Sequence, residues 1–337
     1  MSDPNVAIVG ATGAVGKVLR EILFERSFPV GNLRLMASER SAGMVIGTGL
    51  GDIEVESLDE ADPGGIDIAL FSAGGDRSRQ HARRFADAGA VVVDNSSAFR
   101  MEADVPLVVV GINDAAVQGH SGVIANPNCT TMVLMMAAAP LHRAAGLRAM
   151  TATSYQSVSG TGNRAILELT QQAQWFAKTP EALFDGTWEE PDVNVYARPV
   201  GWNVLPYAGT EVERGYTDEE MKLRDESRKI LDIPALTVEP TCVRVPVMVG
   251  HGVAATMWFD RPVSPDEAAE LIAAAPGVEV WADKVATPLD CAGRDEVLVS
   301  RIRETLGEPG GINLWAVGDN LRKGAALNAI QIAELVI

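Results

Sequence analysis

The sequence predicts an α/β protein whose N-terminal part is a doubly wound parallel sheet and whose later part is a second domain. Three observations carry this expectation. A short apolar run at residues 6–10 passes through a glycine turn into an amphipathic stretch at 15–25, with Val18, Leu19, Ile22 and Leu23 on one side, the order of strand, turn and helix. Further strand-like runs at 32–37, 67–72, 90–94 and 107–111 alternate with helical patterns such as the arginine-rich stretch at 77–88, and that alternation belongs to parallel sheets. From residue 148 a long strand pattern leads into a small polar loop and then a helix, which marks the second domain.

Composition sets the outer bounds. A chain of 337 residues with 47% hydrophobic content is long enough for two domains, each with its own core. Cys129, Cys242 and Cys291 form no CxxC pair and no metal-type spacing; an odd number of thiols fits a reducing compartment, so a cytoplasmic protein without a metal site is expected. The start of the chain has no basic region of the kind that opens a signal peptide. Its longest apolar run, 132–141, is too short to span a bilayer. A formal net charge of -17 argues against a nucleic-acid partner, because phosphate backbones need a basic face. An anionic substrate would need a locally positive site, which makes individual arginines and lysines worth following.

The turn Gly10-Ala11-Thr12-Gly13-Ala14-Val15-Gly16 follows the first strand. Glycines there let the backbone approach a pyrophosphate, whose charge the helix N-terminus can bind. The spacing is GxxGxxG, not the commoner GxGxxG, and a loop that only packs tightly is the alternative. The second strand ends at Ser38-Glu39-Arg40-Ser41, where the adenosine ribose of a dinucleotide would lie. Glu39 could accept from a ribose hydroxyl, as in NAD sites. Arg40 with Ser38 and Ser41 could instead hold a 2'-phosphate, and two hydroxyls plus a guanidinium favour NADP. The carboxyl ends of the next two strands carry Ser72-Ala73-Gly74-Gly75 and Asn95-Ser96-Ser97-Ala98-Phe99-Arg100. Arg100 is therefore a candidate anion ligand, with a solvated loop arginine as the other reading.

The segment Asn126-Pro127-Asn128-Cys129-Thr130-Thr131 opens the apolar run and is the most informative feature of the chain. It reads as a nucleophilic thiol at a helix N-terminus, where the macrodipole favours negative charge on sulfur and helix-end amides could stabilise an oxyanion. A small buried hydrophobe is the alternative for Cys129. The loop Gln156-Ser157-Val158-Ser159-Gly160-Thr161-Gly162 carries a side-chain amide and several N–H groups able to meet a substrate carbonyl, or is simply a flexible turn. Arg244 and His251 stand seven positions apart around an apolar strand, the latter between two glycines. His251 is the histidine whose structural role is least obvious, although a satisfied core histidine stays open. His81, His120 and His142 sit in a charged helix, a surface turn and a helix end. The acidic and basic run at 218–230 reads as a solvated helix face.

With these pieces in order, the chain resembles aspartate-β-semialdehyde dehydrogenases over essentially its full length. The residues that carry the resemblance are the glycine turn from Gly10 to Gly16, Asn126 to Thr131, Gln156 to Gly162, Glu220 with Lys222, Arg244 with His251, and Trp315-Ala-Val-Gly-Asp319-Asn320 running on to Gly324. The resemblance implies a Rossmann-type NADP-binding domain (1–128), an α+β catalytic and dimerisation domain (129–314), a C-terminal helix returning to the first domain (315–337), and a homodimer or homotetramer. It implies catalytic roles for Cys129, His251 and Gln156, and contacts to substrate or phosphate from Arg100, Asn128, Ser159, Glu220, Lys222 and Arg244. It also puts Gly10, Thr12, Gly13, Ala14, Val15, Gly16, Ser38, Arg40, Ser41, Ser72, Gly160 and Asn320 at NADP(H).

The reaction so implied is reductive dephosphorylation of aspartyl-4-phosphate through a cysteine thioester to aspartate semialdehyde and phosphate, a step toward lysine, threonine, methionine and diaminopimelate. An N-acetyl-γ-glutamyl-phosphate reductase, a glyceraldehyde-3-phosphate dehydrogenase, a phosphate-independent aldehyde dehydrogenase and a silent nucleotide-binding homologue are the rivals. The thiol, amide, arginine and histidine positions are all occupied, which disfavours the last. One expectation follows from the residues after the second strand. Arg40→Ala should raise the Michaelis constant for NADPH far more than that for NADH, and equal effects on both in steady-state kinetics would remove Arg40 from the cofactor site.

Overall fold

The computed structural model describes residues 3–337. Along the chain run β1 (Asn5–Val9), α1 (Ala14–Glu25), β2 (Asn32–Ala37), β3 (Val45–Thr48), β4 (Gly51–Ser57), β5 (Ile68–Phe71), α2 (Gly75–Asp87), β6 (Val91–Asp94), β7 (Val123–Ala125) and α3 (Cys129–Ala145). There follow β8 (Leu147–Gln156), α4 (Asn163–Phe176), α5 (Ala182–Asp185), the short β9 (Glu211–Glu213) and β10 (Tyr216–Thr217), and α6 (Asp218–Leu231). The chain continues with β11 (Thr237–Arg244), β12 (His251–Phe259), α7 (Pro265–Ala273), β13 (Val278–Trp281), α8 (Pro288–Cys291), β14 (Val297–Glu304), β15 (Ile312–Gly318) and α9 (Leu327–Glu334). No helix among the described residues is long and apolar enough to cross a membrane.

Two compact units divide this chain: residues 1–139, 225–235 and 321–337 form one, and 140–224 with 236–320 form the other. The first holds a seven-stranded sheet in the order β3-β4-β2-β1-β5-β6-β7. All its pairings are parallel except the β3·β4 edge. Strand order reverses between β1 and β5, so the topological switch point lies there, and the glycine turn after β1 opens at its carboxyl end. Leu19, Ile22 and Leu23 of α1 are fully buried with Ile8, Leu35 and Leu70 of the sheet and with Leu327, Ile330 and Ala333 of α9. Bidentate Arg26–Glu334 bonds of 2.7 and 2.8 Å tie α1 to α9 at the surface.

The run at 107–111 does not form a strand. Only Leu107 bridges, to Ala125, and β7 takes the place beside β6. Side chains intercept the ladder groups. Asn113 accepts from the Val109 N–H and donates to the Leu107 carbonyl, while Asn328 accepts from the Val110 N–H and donates to the Val108 carbonyl. Apolar content made this segment look like a strand; it is buried, but its backbone is satisfied by two asparagines.

Unit boundaries also differ from the expected blocks at 128 and 314. Helix α3 is apolar all round, with Met132 to Ala139 at most 2% exposed, so its first ten or so residues belong to the first core. Trp315 to Asn320 belong to the second unit, because β15 sits between β12 and β14 in that unit's six-stranded sheet, ordered β11-β8-β12-β15-β14-β13. In that sheet β8 and β11 are parallel and β12 runs against β8. The carboxyl ends of β8 and β11 and the start of β12 therefore meet at one edge.

A backbone close approach fixes the glycine turn. Gly10 has φ +87, and a Cβ there would lie 2.2 Å from the Ser72 carbonyl oxygen. Gly10→Ala is expected to cost about 2 kcal/mol or more of unfolding free energy and to abolish nucleotide binding, measured by denaturant titration and NADPH fluorescence. Wild-type values for both would show that the turn can shift.

Candidate active site

Candidate residues fall in both units, and each group has its own geometry. In the first unit the turn from Gly10 leads to α1, whose N-cap is Gly13. Gly13 has no side chain to cap the first amides, and the first turn of α1 holds no acidic residue. Ala14, Val15 and Gly16 thus present an uncapped helix N-terminus, which suits a pyrophosphate. The Thr12 and Ser41 hydroxyls lie 3.4 Å apart, so the turn abuts the loop after β2. There Ser41 is 8% exposed while Ser38, Glu39 and Arg40 face solvent. Ser72, just after β5, lies against Gly10.

Cys129 is the first residue of α3. Asn128 caps the helix, its Oδ1 accepting from the Thr130 N–H at 2.9 Å and the Thr131 N–H at 3.3 Å. Asn128 turns its side-chain oxygen to the helix, and the Thr130 and Thr131 amides, expected to be free for an oxyanion, are engaged by that cap. Asn126 donates to Asn95 Oδ1 and the Ala325 carbonyl and accepts from Asn328, which ties the turn to the segment before α9.

Arg100 is 7% exposed and not a solvated loop arginine. Its Nε donates to the Asn126 carbonyl at 2.9 Å, its Nη2 to the Asn95 carbonyl at 2.7 Å, and its Nη1 to Glu226 Oε1 at 3.0 Å. Glu226 lies in the charged run read as a solvated face, yet it is 1% exposed.

In the second unit Gln156 and Arg244 are register partners at the ends of β8 and β11, and His251 begins β12. The Ser157 N–H donates to His251 Nδ1 at 3.0 Å, so Nδ1 is an acceptor and the neutral ring carries its proton on Nε2. That Nε2 is buried without a hydrogen-bond partner among the described residues, and so is Arg244 Nε. Burial pushes His251 down to about 3, and the nearby Arg244 charge adds to this. Arg244 Nη1 donates to the Ser157 carbonyl at 2.9 Å, and its guanidinium lies 5.9 Å from the Tyr196 ring centre. A Cβ on Gly160 would stand 3.2 Å from His251 Nε2 and 3.6 Å from Arg244 Nη1. Gly160 thus keeps open the space onto which both groups face.

Three candidate side chains in this unit bond within the protein. Asn320 accepts from the Gly250 N–H at 2.8 Å and the Ser157 hydroxyl at 3.0 Å, and donates to Ser159 Oγ at 2.9 Å. Asn320 and Ser159 thus hold the loop, at 2% exposure each. Glu220 accepts from the backbone N–H groups of Thr217 and Cys242. It is the neighbouring Glu219 whose carboxylate meets Gln156 Nε2, at 3.4 Å, and Lys222 Nζ, at 2.8 Å. Burial lowers the affinity of Lys222 for its proton, but Glu219 and Asp218 outweigh it and hold the ammonium above its usual range. Adjacent glutamates cannot be told apart by composition; helix phase decides which one faces the site.

The other histidines and cysteines stand apart. His81, read as solvated, is 4% exposed with Nε2 3.1 Å from Asp59. His120 and His142 accept from the Gly122 and Leu147 N–H groups. Cys242 and Cys291 are thiols pushed up to about 12 by burial, hence inert at neutral pH.

Comparison with known proteins gives the family. Residues 5–120 match the semialdehyde dehydrogenase NAD-binding domain and 138–323 the semialdehyde dehydrogenase dimerisation domain, which sets the class as a two-domain semialdehyde dehydrogenase. The aspartate-semialdehyde dehydrogenase of Streptomyces akiyoshiensis is 52% identical, with 98% of each chain covered, and that of Mycolicibacterium smegmatis is 50% identical at the same coverage. The crystal structure of aspartate semialdehyde dehydrogenase II from Vibrio cholerae superposes with a TM-score of 0.93 at 42% identity, covering 99% of this chain and 98% of that one. A structure of aspartate semialdehyde dehydrogenase II from the same organism in complex with ASA gives 0.94 at 40%, covering 100% and 98%. The chain belongs to the aspartate-semialdehyde dehydrogenase family.

The His251 environment has a pH consequence. The unfolded chain takes up the proton near the ordinary 6.5, whereas the folded ring resists it down to about 3. This group's contribution is therefore present above pH 6.5 and is lost as pH falls from 6.5 toward 3. Heteronuclear NMR at pH 5 is expected to show a neutral His251 ring protonated at Nε2; a doubly protonated ring would overturn the assignment.

Proposed function

We propose that this protein catalyses the NADPH-dependent reductive dephosphorylation of L-aspartyl-4-phosphate to L-aspartate-4-semialdehyde. The observation that carries the reading is the pair of buried, unpartnered donors, His251 Nε2 and Arg244 Nε, on two side chains that both border Gly160. Buried polar groups normally have partners, and ones left without them suit a ligand.

In this reaction the Cys129 sulfur attacks the acyl carbon, the carbon–oxygen bond to phosphate breaks, and inorganic phosphate leaves a thioester on sulfur. Arg100 offers the N–H groups left over from its three protein bonds to the phosphate. Arg244 offers its fork to the substrate carboxylate, a bidentate contact that lysine could not reproduce. Glu219 provides the carboxylate for the substrate ammonium, taking the role expected of Glu220. Lys222, tied to Asp218 and Glu219, adds positive charge near them. The Nε2–H of His251 donates to the acyl oxygen, which stabilises charge developing there. A bound NADPH would supply hydride to the thioester carbon, and release of the Cys129 thiolate from the adduct leaves the aldehyde. The uncapped start of α1 and the Gly10 turn suit its pyrophosphate, and Ser38, Arg40 and Ser41 its 2'-phosphate.

A homodimer or homotetramer in the cytoplasm is part of this reading. The match to a dimerisation domain supports assembly, as does the aromatic pair Tyr155 and Trp315, 5.4 Å apart on β8 and β15 with β12 between them, with Tyr155 36% exposed.

Mixing the purified protein with aspartate semialdehyde and NADP should produce NADPH absorbance only when inorganic phosphate is present. Phosphate-independent turnover would point to an ordinary aldehyde dehydrogenase. Nucleotide binding without turnover would favour N-acetyl-γ-glutamyl-phosphate reductase or a silent homologue.

A further inference from the structure

We infer that Glu226 is a positioning residue that holds the anion-binding arginine and the nucleophile turn as one piece, an inference that rests on the function proposed above. One buried carboxylate serves both. Oε1 accepts from Arg100 Nη1 at 3.0 Å and Oε2 accepts from the backbone N–H of Asn128 at 2.6 Å, the residue immediately before Cys129.

Arg100 has no rotational freedom left. Its fork has five N–H groups, and three of them are engaged, one on each nitrogen, by the Asn126 carbonyl, the Asn95 carbonyl and Glu226. One N–H on each terminal nitrogen remains, a paired presentation suited to two oxygens of a phosphate. One helical turn beyond Glu226, Lys229 Nζ donates to the carbonyls of Arg100, Glu102 and Val105 at 2.7 to 2.8 Å, so the backbone carrying Arg100 is held from the same helix face. On the other side, Asn128 caps α3 and thereby sets where Cys129 starts the helix. A shift of Glu226 would move the phosphate ligand and the thiol together.

Chemistry explains why a carboxylate is required. Each oxygen faces a donor, so glutamine would turn an NH2 group toward either Arg100 or the Asn128 N–H and lose one bond. Aspartate keeps two acceptors on an arm one methylene shorter.

The test uses the full-length protein in the oxidative direction with phosphate varied. Glu226→Gln is expected to raise KM for phosphate about ten-fold or more and to lower kcat, with KM for NADP unchanged. Because the phosphate effect acts through Arg100, the KM of the double variant Arg100→Ala/Glu226→Gln should lie within about two-fold of that of Arg100→Ala. A phosphate KM near wild type in Glu226→Gln, or effects that multiply in the double variant, would overturn the inference. If Glu226→Gln does not fold, as judged by circular dichroism, Glu226→Asp carries the test: a raised phosphate KM is expected, and an unchanged one overturns it. Alkylation of Cys129 by iodoacetamide, read by intact mass, needs no turnover. A change in its rate of about five-fold or more in Glu226→Gln or Glu226→Asp is expected, and an unchanged rate overturns the inference even if phosphate-dependent activity proves absent in the wild type.

Discussion

Peptide groups at the ends of buried strands have no ladder partner, and leaving them unpaired costs about 1 to 3 kcal/mol each. In this chain that constraint is met by side chains of the candidate site. The Ser157 N–H and carbonyl go to His251 and Arg244. The Asn95 and Asn126 carbonyls go to Arg100, the Asn128 N–H to Glu226, and the Gly250 N–H to Asn320. Satisfying the backbone and orienting the chemistry are thus a single requirement, and the residues that do both are held without room to rotate.

The consequence is clearest at His251. A backbone N–H cannot become an acceptor, so the Ser157 peptide fixes the imidazole tautomer and leaves Nε2 as a donor. Burial and the Arg244 charge then keep the ring neutral. What the neutral ring offers at that position is a hydrogen-bond donor. Asn320 and Ser159 likewise direct polar atoms to the loop that carries Gly160. Their contribution is rigidity, which matters because positioning supplies a large part of catalytic rate.

Much of the first unit was readable in advance. Its strands and helices follow from local apolar periodicity, and strand 32–37 has the expected limits. Where local reading failed, the cause was a distant polar side chain. Residues 107–110 have strand-like composition, but Asn113 and Asn328 take their ladder groups. The charged run at 218–230 looks solvated because its composition is that of a surface helix, while Glu226 is buried on partners far away in the chain and Glu220 on the Thr217 and Cys242 backbone. The turn at Gly10 and the helix start at Cys129 were legible for another reason: neighbouring residues specify both.

The sequence alone determined the fold class, the order of elements, the family likeness and the residue types that carry the chemistry, because these depend on periodicity and short-range turn preferences. Tertiary structure decided which of two adjacent glutamates faces Gln156, which nitrogen of His251 holds the proton, and that the amides behind Cys129 are already capped. It also decided that Arg100 is buried on Glu226, 126 positions away. Those outcomes depend on which donors and acceptors meet once water is excluded, and pairings between distant residues leave no periodic trace in a single chain.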